Sequence, residues 1–518
     1  MRRGPATTDT SRMRMRGALV SITAMVVSAA FGSAHAESLR DALAYAYLYN
    51  PTLKAARAQL RATDEQVAQA KSGFRPTITG DIQHSYQDVQ TQPPSFGEGD
   101  TYPRSYSVTL NQPIFRGFRT INAVKGAEAL VEAGREDLRT SEQTIILDSI
   151  TAFVDVVRDQ ALLALRLNNV KVLAEQQRAT KERFDVGEVT RTDVAQAEAR
   201  SSGAESDVSA ARAALQASRA TYARLIGRQP GTLNDPGPAR RLVPKTLPDA
   251  VQVGEGQNPI IVAAIFRERA QDHLVKETKG ELLPSVDLQA SYTRSFDGGG
   301  GIEREDVTTI TGHVSVPIYE AGEVSARIRQ NIETRSQLRH QIDEARELVR
   351  SNVTSAWGTL IATRAQITSG TAQVAANQVA LSGVREEEKV GQRTVLDVLN
   401  AEQELLDAQV ALTTSKRDLV VASYSVLNAM GVLGSADLEL SVEQYDPALH
   451  YSEVADKWWG WRTSSEATEP EPTVARVTDP GRTPNQGRYD GPAYTQRGSG
   501  WSTDTVGSWK TNTETLKK

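Results

Sequence analysis

The stretch Val390-Gly-Gln-Arg-Thr-Val-Leu-Asp-Val-Leu-Asn-Ala-Glu-Gln-Glu-Leu405 contains the turn that decides the fold. A helical pattern runs into this stretch and another runs out of it. Gly391 suits the left-handed backbone conformation that ends many helices. Thr394 and Asp397 have the spacing of a capping box, which satisfies free N–H groups at the start of the next helix. The sequence therefore predicts a tight turn between two antiparallel helices.

The same turn occurs earlier in the chain, at 186–194. Its three turn residues lie 204 positions before those of the later copy, and they are Gly187, Thr190 and Asp193. An Asn-Pro pair also occurs twice, as Asn50-Pro51 and Asn258-Pro259. The chain is therefore a duplication, and each copy is expected to contain one helical hairpin.

Composition excludes several classes of protein. The 518 residues include no cysteine, so disulfides, thiolate metal sites and a lipidated N-terminal cysteine are excluded. The net charge of −5 gives no basic surface for nucleic acid. The six histidines are dispersed, and no phosphate-binding loop or nucleophile elbow occurs. We expect no enzyme activity, no catalytic residues, no cofactor and no metal.

Residues 1–36 have the parts of a secretory signal peptide. Arginines at 12–16 precede an apolar run at 18–31, and Ala-His-Ala at 34–36 provides a cleavage site. No later segment is apolar for long enough to form a transmembrane helix. The mature chain is therefore expected to be exported.

Two segments alternate apolar and polar residues, as strands with one apolar face do. They predict a β-hairpin at 76–115 and another at 284–319. In the second hairpin we expect Ser285, Gln289, Thr311 and Ser315 to face water. The opposite face carries the apolar residues of both hairpins: Ile78, Ile82, Tyr106, Val108, Leu110, Ile114, Val286, Leu288, Tyr292, Ile310, Val314 and Val316.

A long helical pattern follows each hairpin, from Phe118 to Val186 and from Gly322 to Val390. At 1.5 Å per residue, each helix would be roughly 100 Å long. The helix after each turn has a heptad of apolar residues, which is typical of coiled-coil packing. We expect the shorter helices before each hairpin and after each turn to stack end to end beside the long one.

These elements predict five segments. A signal peptide, 1–36, is followed by a first repeat, 37–227, with its turn at 186–193. A Pro- and Gly-rich linker, 228–257, joins it to a second repeat, 258–440, with its turn at 390–397. The polar tail, 441–518, is expected to be largely disordered, with scattered Trp458, Trp459 and Trp461.

Four amphipathic strands cannot close a membrane barrel, since the smallest outer-membrane barrels have about eight strands. An open sheet edge in lipid leaves backbone groups unpaired, at a cost of several kcal/mol each. A barrel must therefore be shared between chains. Two chains would give eight strands with a filled interior, and three would give twelve with room for a pore. A soluble β-sandwich is disfavoured by the signal peptide and by the lack of a second β layer.

Over about residues 38–440 the chain resembles the TolC family of outer-membrane efflux and secretion channels. The motifs that carry this resemblance are 50–53, 113–115, 317–319 and the two turns, above all 390–405. The resemblance implies an α+β membrane protein, built from a duplicated unit of β-hairpin plus long coiled-coil helices. It implies a homotrimer in the outer membrane, with a 12-stranded β-barrel in lipid continued by a 12-helix periplasmic α-barrel.

The resemblance also implies partners and a role. The channel would be the passive exit duct of a tripartite export system, docking on a periplasmic membrane-fusion adaptor and an inner-membrane ABC or RND-type pump. The second turn resembles that of family members serving type I protein secretion, and multidrug efflux is the other family role. The tip turns, expected to dock the adaptor, are at Gly187, Thr190, Gly391 and Thr394.

Gate residues are also implied by the resemblance. Family members hold the periplasmic end closed by polar contacts, which correspond here to Thr192 and Asp193 with Arg393. Asp397 corresponds to an acidic ring at the closed entrance. Asn400 stands where a second acid often occurs, and Glu388 replaces an aromatic hydrogen-bond donor.

Two other classes of protein compete with the channel hypothesis. A periplasmic coiled-coil adaptor would contain one helical hairpin between halves of small β domains, whereas this chain has two hairpins and long amphipathic strands. A secreted hydrolase would need a nucleophile and a base, and the sequence contains no such constellation.

Overall fold

The computed structural model describes residues 36–90, 92, 99–239, 241–297 and 302–461. The predicted signal peptide, up to residue 35, and residues 462–518 of the predicted tail lie outside the described residues. Within the described ranges, no helix is long and apolar enough to cross a membrane. The same residues contain no group of three His, Cys, Asp or Glu side chains that could hold a metal ion.

The first repeat folds in the predicted order of helix, hairpin, long helix, turn and helix. Its helices are α1 (Leu39–Tyr49), α2 (Pro51–Ser72), α3 (Arg119–Asp185) and α4 (Arg191–Ile226). Its strands are β1 (Thr77–His84), β2 (Gln87–Val89), β3 (Gly99–Thr101) and β4 (Arg104–Arg116).

The second repeat has the same order. Its helices are α6 (Pro259–Lys279), α7 (Glu323–Lys389) and α8 (Val395–Met430), and its strands are β5 (Ser285–Phe296) and β6 (Arg304–Ser315). The two long helices, α3 and α7, each contain 67 residues. Their equal lengths place the two tip turns at equal distances from the sheet.

Two further helices lie in the predicted linker and in the predicted tail. The linker contains α5 (Leu247–Gln257), which packs on α7 and α8. Its cap is a Thr-x-x-Asp motif, since the Thr246 hydroxyl accepts from the Asp249 N–H. The tail contains α9 (Pro447–Val454), which packs on α2. Residues 441–461 of the predicted tail are therefore ordered by tertiary contacts, while the rest of that tail lies outside the described residues.

Four strands form one antiparallel sheet in the order β1-β4-β5-β6, while β2 and β3 form a separate ribbon. The register pairs Ile78 with Leu110 and Val286 with Val314. Paired residues share a face, so the apolar residues of both hairpins lie on one side of the sheet. Gln289 pairs with Thr311 on the polar side. The edge strands β1 and β6 pair with no further strand among the described residues.

A β-bulge corrects one position of the predicted apolar face. The register shifts between Pro113 and Phe115, so that Phe115 pairs with Val286. The alternation of the sequence put Ile114 on that face. Proline has no N–H to donate to the ladder and is found at bulges for that reason.

The Asn-Pro pairs join helices end to end. Asn50 caps α2, since its Oδ1 accepts from the Thr52 N–H at 2.8 Å, while its amide donates to the Leu225 carbonyl in the last turn of α4 at 2.7 Å. Asn258 caps α6 in the same way, and its amide donates to the Ala429 carbonyl in α8 at 2.9 Å. Each pair of shorter helices is thereby stacked beside a long helix, as predicted.

The largest buried cluster lies where these helix ends meet. It includes Phe153 of α3, Tyr222 of α4 and Leu427 of α8, all fully buried. In the heptads, Val208, Leu215, Val398 and Val426 are also buried. The core is therefore a packed seam between helices, and the sheet contributes nothing to it.

Candidate functional site

Each tip turn combines a left-handed glycine with a capping box. Gly187 has φ of 81° and Gly391 has φ of 78°, a region that glycine adopts without strain. In the second turn, the Asp397 carboxylate accepts from the Thr394 N–H at 2.9 Å, and the Asp397 N–H donates to the Thr394 hydroxyl at 3.2 Å.

The first turn has the same geometry. The Asp193 carboxylate accepts from the Thr190 N–H at 2.9 Å, and the Asp193 N–H donates to the Thr190 hydroxyl at 3.3 Å. The Thr190 hydroxyl and N–H hold the pKa of Asp193 below its usual value. The Thr394 N–H and hydroxyl do the same for the pKa of Asp397. Both carboxylates are therefore ionised at neutral pH.

Polar contacts tie the two tips of one chain together. Arg183, at the end of α3, forms an ion pair with Glu388 at the end of α7. Arg200 of α4 donates to the Asn400 side-chain oxygen of α8 at 3.1 Å. Asn400, which cannot carry the charge of a second acid, therefore serves as an acceptor between the hairpins.

An apolar cluster lies behind these contacts. Leu399 and Val395 of α8 are buried against Leu173 of α3 and Ala204 of α4. The two tips thus form one packed unit within the chain. That packing fixes where the surrounding polar residues lie along the axis of the helical bundle.

The predicted gate residues of the two turns have other partners within the chain. Arg393 donates to the Glu387 carboxylate at 2.9 Å, and Asp193 is held by Thr190. The pair of Asp193 and Arg393 therefore does not form within one chain. Thr192 and Arg393 are exposed, so both are open to a neighbouring chain.

Sequence reasoning missed Arg183 and Arg200 as tip residues. A signal was present, because Arg183 and Glu388 have opposite charge and both precede their turn glycine by one helical turn. Because α3 and α7 end at the same level along the bundle, these two residues come together. The resemblance to the TolC family marks Glu388 only as the replacement of an aromatic hydrogen-bond donor.

The class of protein follows from these features. A single-layer sheet has one apolar face, one polar face and two unpaired edges, and a long helical bundle ends in two polar tips. Among the described residues, these are the parts of a channel subunit: an amphipathic sheet at one end and a long helical bundle at the other.

Comparisons with known proteins identify the family. The family model of outer membrane efflux proteins matches residues 42–228 and 251–432. The chain is 42% identical over 433 residues to outer membrane efflux protein BepC of Brucella suis, covering 83% of this chain and 93% of BepC. It is 24% identical over 422 residues to outer membrane protein TolC of Escherichia coli, covering 78% and 84% of the two chains.

The fold has solved counterparts as well. The outer membrane channel CmeC of Campylobacter jejuni superposes with a TM-score of 0.70 at 16% identity, covering 81% of this chain and 89% of CmeC. The chain belongs to the outer membrane efflux protein family, the family of TolC. It is a channel protein of the Gram-negative outer membrane. The family assignment supports the channel hypothesis over the adaptor and hydrolase hypotheses.

Proposed function

We propose that three copies of this chain form a channel-tunnel, a passive exit duct across the outer membrane and the periplasm. The observation that carries this proposal is the sheet with two unpaired edges, β1 and β6, and one apolar face. Pairing β6 of one chain with β1 of the next removes both edges. Three chains contribute twelve strands, which leaves room for a pore, and their long helices form a twelve-helix tunnel.

The tips would dock a periplasmic adaptor that links the tunnel to an inner-membrane ABC or RND-type pump. The exposed valines before each turn support this assignment. Val186 is 73% exposed and Val390 is 70% exposed, at equivalent positions of the two hairpins. Apolar side chains at the far end of a periplasmic bundle suit a second protein with an apolar groove between helices. The cargo would be protein, by type I secretion, or drugs.

The oligomeric state tests the channel proposal. Mass measurement of the detergent-solubilised protein should give three chains, because each open edge needs a partner. Conductance in planar bilayers should then show a pore that is mostly closed. A stable monomer, or a dimer of eight strands, would contradict the proposal.

We also propose that Asp193 and Arg393 form the gate contact between neighbouring chains. Opening must break three such contacts at once, although an exposed ion pair contributes only about 0–1 kcal/mol by itself. Arg393→Ser and Asp193→Ala should each raise the conductance of the closed channel. The double variant should add little, because both changes remove one interaction. Asp397→Asn should instead alter cation preference, since a ring of acids sets the potential at a constriction.

A matched control is available on the same long helix. Arg346 is exposed and pairs with Asp343 along α7 at 3.1 Å, so Arg346→Ser removes an ion pair away from the tips. Its conductance should equal that of the parent. The gate lies elsewhere if Arg393→Ser and Asp193→Ala also leave the closed conductance unchanged while the trimer stays intact.

A further inference from the structure

The described part of the tail, 441–461, runs as a strap along α1 and α2. At its start, the Tyr445 N–H donates to the Tyr47 hydroxyl at 3.0 Å. The Arg57 guanidinium lies between the two rings, 4.6 Å from the Tyr47 centroid and 4.9 Å from the Tyr445 centroid. The strap thus begins near the junction of α1 and α2.

Further along, the strap is fixed by buried and charged contacts. His450 Nδ1 lies 3.0 Å from the carboxylate of Asp64, and both side chains are buried. The Lys71 ammonium then contacts the Asp456 carboxylate at 2.7 Å. The residue numbers on α2 rise with those of the tail, so the strap follows α2 towards the start of β1.

The strap ends at the boundary between the helices and the sheet. Arg75, two residues before β1, donates to the Lys457 carbonyl at 2.6 Å. Its guanidinium also lies 4.9 Å from the ring centroid of Trp458. Trp458 is 68% exposed in the single chain, Trp459 is 88% exposed and Trp461 is 93% exposed. Trp458 is thus held beside the residues that precede β1, and the exposed rings of Trp459 and Trp461 follow it within three residues.

Other exposed aromatic side chains lie where helices and strands meet. Phe74 lies just before β1, Phe118 lies between β4 and α3, and Tyr319 lies between β6 and α7, all of them exposed. Outer-membrane barrels have girdles of aromatic residues at both membrane surfaces. Tryptophan favours this position because its ring is apolar while its N–H still finds a polar partner.

We propose that Trp458, Trp459 and Trp461 form an interfacial anchor, inserted among the phospholipid headgroups of the periplasmic leaflet of the outer membrane. The strap carries these rings to the membrane surface from a tail that lies beyond the second repeat. This inference rests on the proposed placement of the sheet in the bilayer. The partner is the lipid surface, because Trp458 contacts Arg75 two residues before β1, the strand whose apolar face begins at Ile78.

Quenching by lipids with brominated acyl chains tests the anchor. The chain has six tryptophans, so a single-tryptophan variant keeps Trp459 and has phenylalanine at the other five positions. After reconstitution in brominated phosphatidylcholine, most of the Trp459 emission should be lost relative to unbrominated lipid. A matched variant that keeps only Trp357, which packs beside a buried cluster of α7, should keep its emission.

A third variant separates this inference from the proposed function. It carries Ile310→Trp as its single tryptophan, near the middle of β6 on the predicted lipid-facing surface, and strong quenching there supports the bilayer placement of the sheet. If Ile310→Trp is quenched while Trp459 behaves like Trp357, the anchor is wrong and the channel proposal stands. If Ile310→Trp keeps its emission, the channel proposal fails and the anchor fails with it.

A second measurement uses the chain with its other tryptophans in place. Trp459→Phe should lower the fraction of total emission that brominated lipid removes, whereas Trp357→Phe should raise that fraction. Blue-shifted Trp459 emission without quenching would mean that a protein surface covers the ring. That result would also overturn the lipid anchor.

Discussion

At the scale of single residues, the tip turns depend on backbone conformations that side chains resist. Gly391 has a positive φ and lies in open space, where an added Cβ meets nothing within 4 Å. Any cost of a side chain there therefore comes from the backbone. Gly383, eight residues earlier in the same hairpin, is also in open space but lies within α7, with no positive φ.

This pair of glycines gives a matched prediction. Gly391→Ala should destabilise the tip by about 1–2 kcal/mol, because an L-residue is strained in the left-handed region. Gly383→Ala should stabilise the helix by up to about 1 kcal/mol through helix propensity. Hydrogen exchange at the amides of the last turn of α7 measures both effects. Equal effects of the two changes would mean that the turn is not fixed by its glycine.

At the scale of elements, the Asn-Pro pair is a junction between two helices. Asn50 is 2% exposed and Asn258 is 3% exposed, so each asparagine satisfies two helix ends out of contact with water. The Oδ1 atom accepts from N–H groups at the start of the helix that follows. The side-chain amide donates to a carbonyl in the last turn of the helix that stacks against it. Aspartate provides only the first of these functions.

Asn50→Asp should therefore separate the two roles. The variant keeps the cap on α2, but it loses the donor to the Leu225 carbonyl and leaves buried polar groups unpaired, at a cost of about 1–3 kcal/mol. Asn352→Asp, at an exposed position of α7, is the control and should change stability little. Chemical unfolding of the solubilised protein measures both. Equal stabilities of the two variants would show that the amide donor is dispensable.

At the scale of the whole molecule, the two faces of the sheet differ in polarity. Ile310 pairs with Ala290 on the apolar face, while Thr311 pairs with Gln289 on the polar face. These two positions are adjacent along β6, so the side of the sheet is the main difference between them.

Arginine at the two positions should have different effects. Ile310→Arg, near the middle of β6, should cost about 2–4 kcal/mol as expected near the middle of the bilayer, whereas Thr311→Arg should be tolerated in a wet lumen. Unfolding of the reconstituted protein measures the difference. Because the chain has no cysteine, Ile310→Cys and Thr311→Cys can also be compared with a water-soluble reagent. Equal labelling of the two would contradict the assignment of faces.

Much of the fold could be predicted because its signals are local. The Thr-x-x-Asp motifs, the turn glycines and the alternation of the strands each act over a few residues, and they agree in both repeats. The same local reasoning missed α5, although Thr246 and Asp249 repeat the cap motif, because prolines and glycines around it suggested a linker. It also missed the bulge at Pro113, where the ladder changes register.

The site was predicted less completely. The resemblance to the TolC family proposes Asp193, Arg393 and Asp397 as gate residues, but it does not give the partners that they have in the chain. Arg393 contacts Glu387, six residues earlier along the chain. Arg183 contacts Glu388, 205 positions away. Contacts between distant segments depend on how the two helical hairpins pack against each other. The periodicity of apolar residues in the sequence does not indicate that packing.

The sequence by itself determined the duplication, the kinds of element, their lengths and the face of each strand, because capping, backbone sterics and side-chain alternation act on neighbouring residues. Tertiary structure alone decided that the strands of both hairpins join one sheet with open edges. It also decided that the tail follows α2 as far as Arg75, where Trp458 meets it. The physical reason is that a polar segment has little tendency to fold alone, and the buried contact of His450 with Asp64 orders it only once α2 is in place.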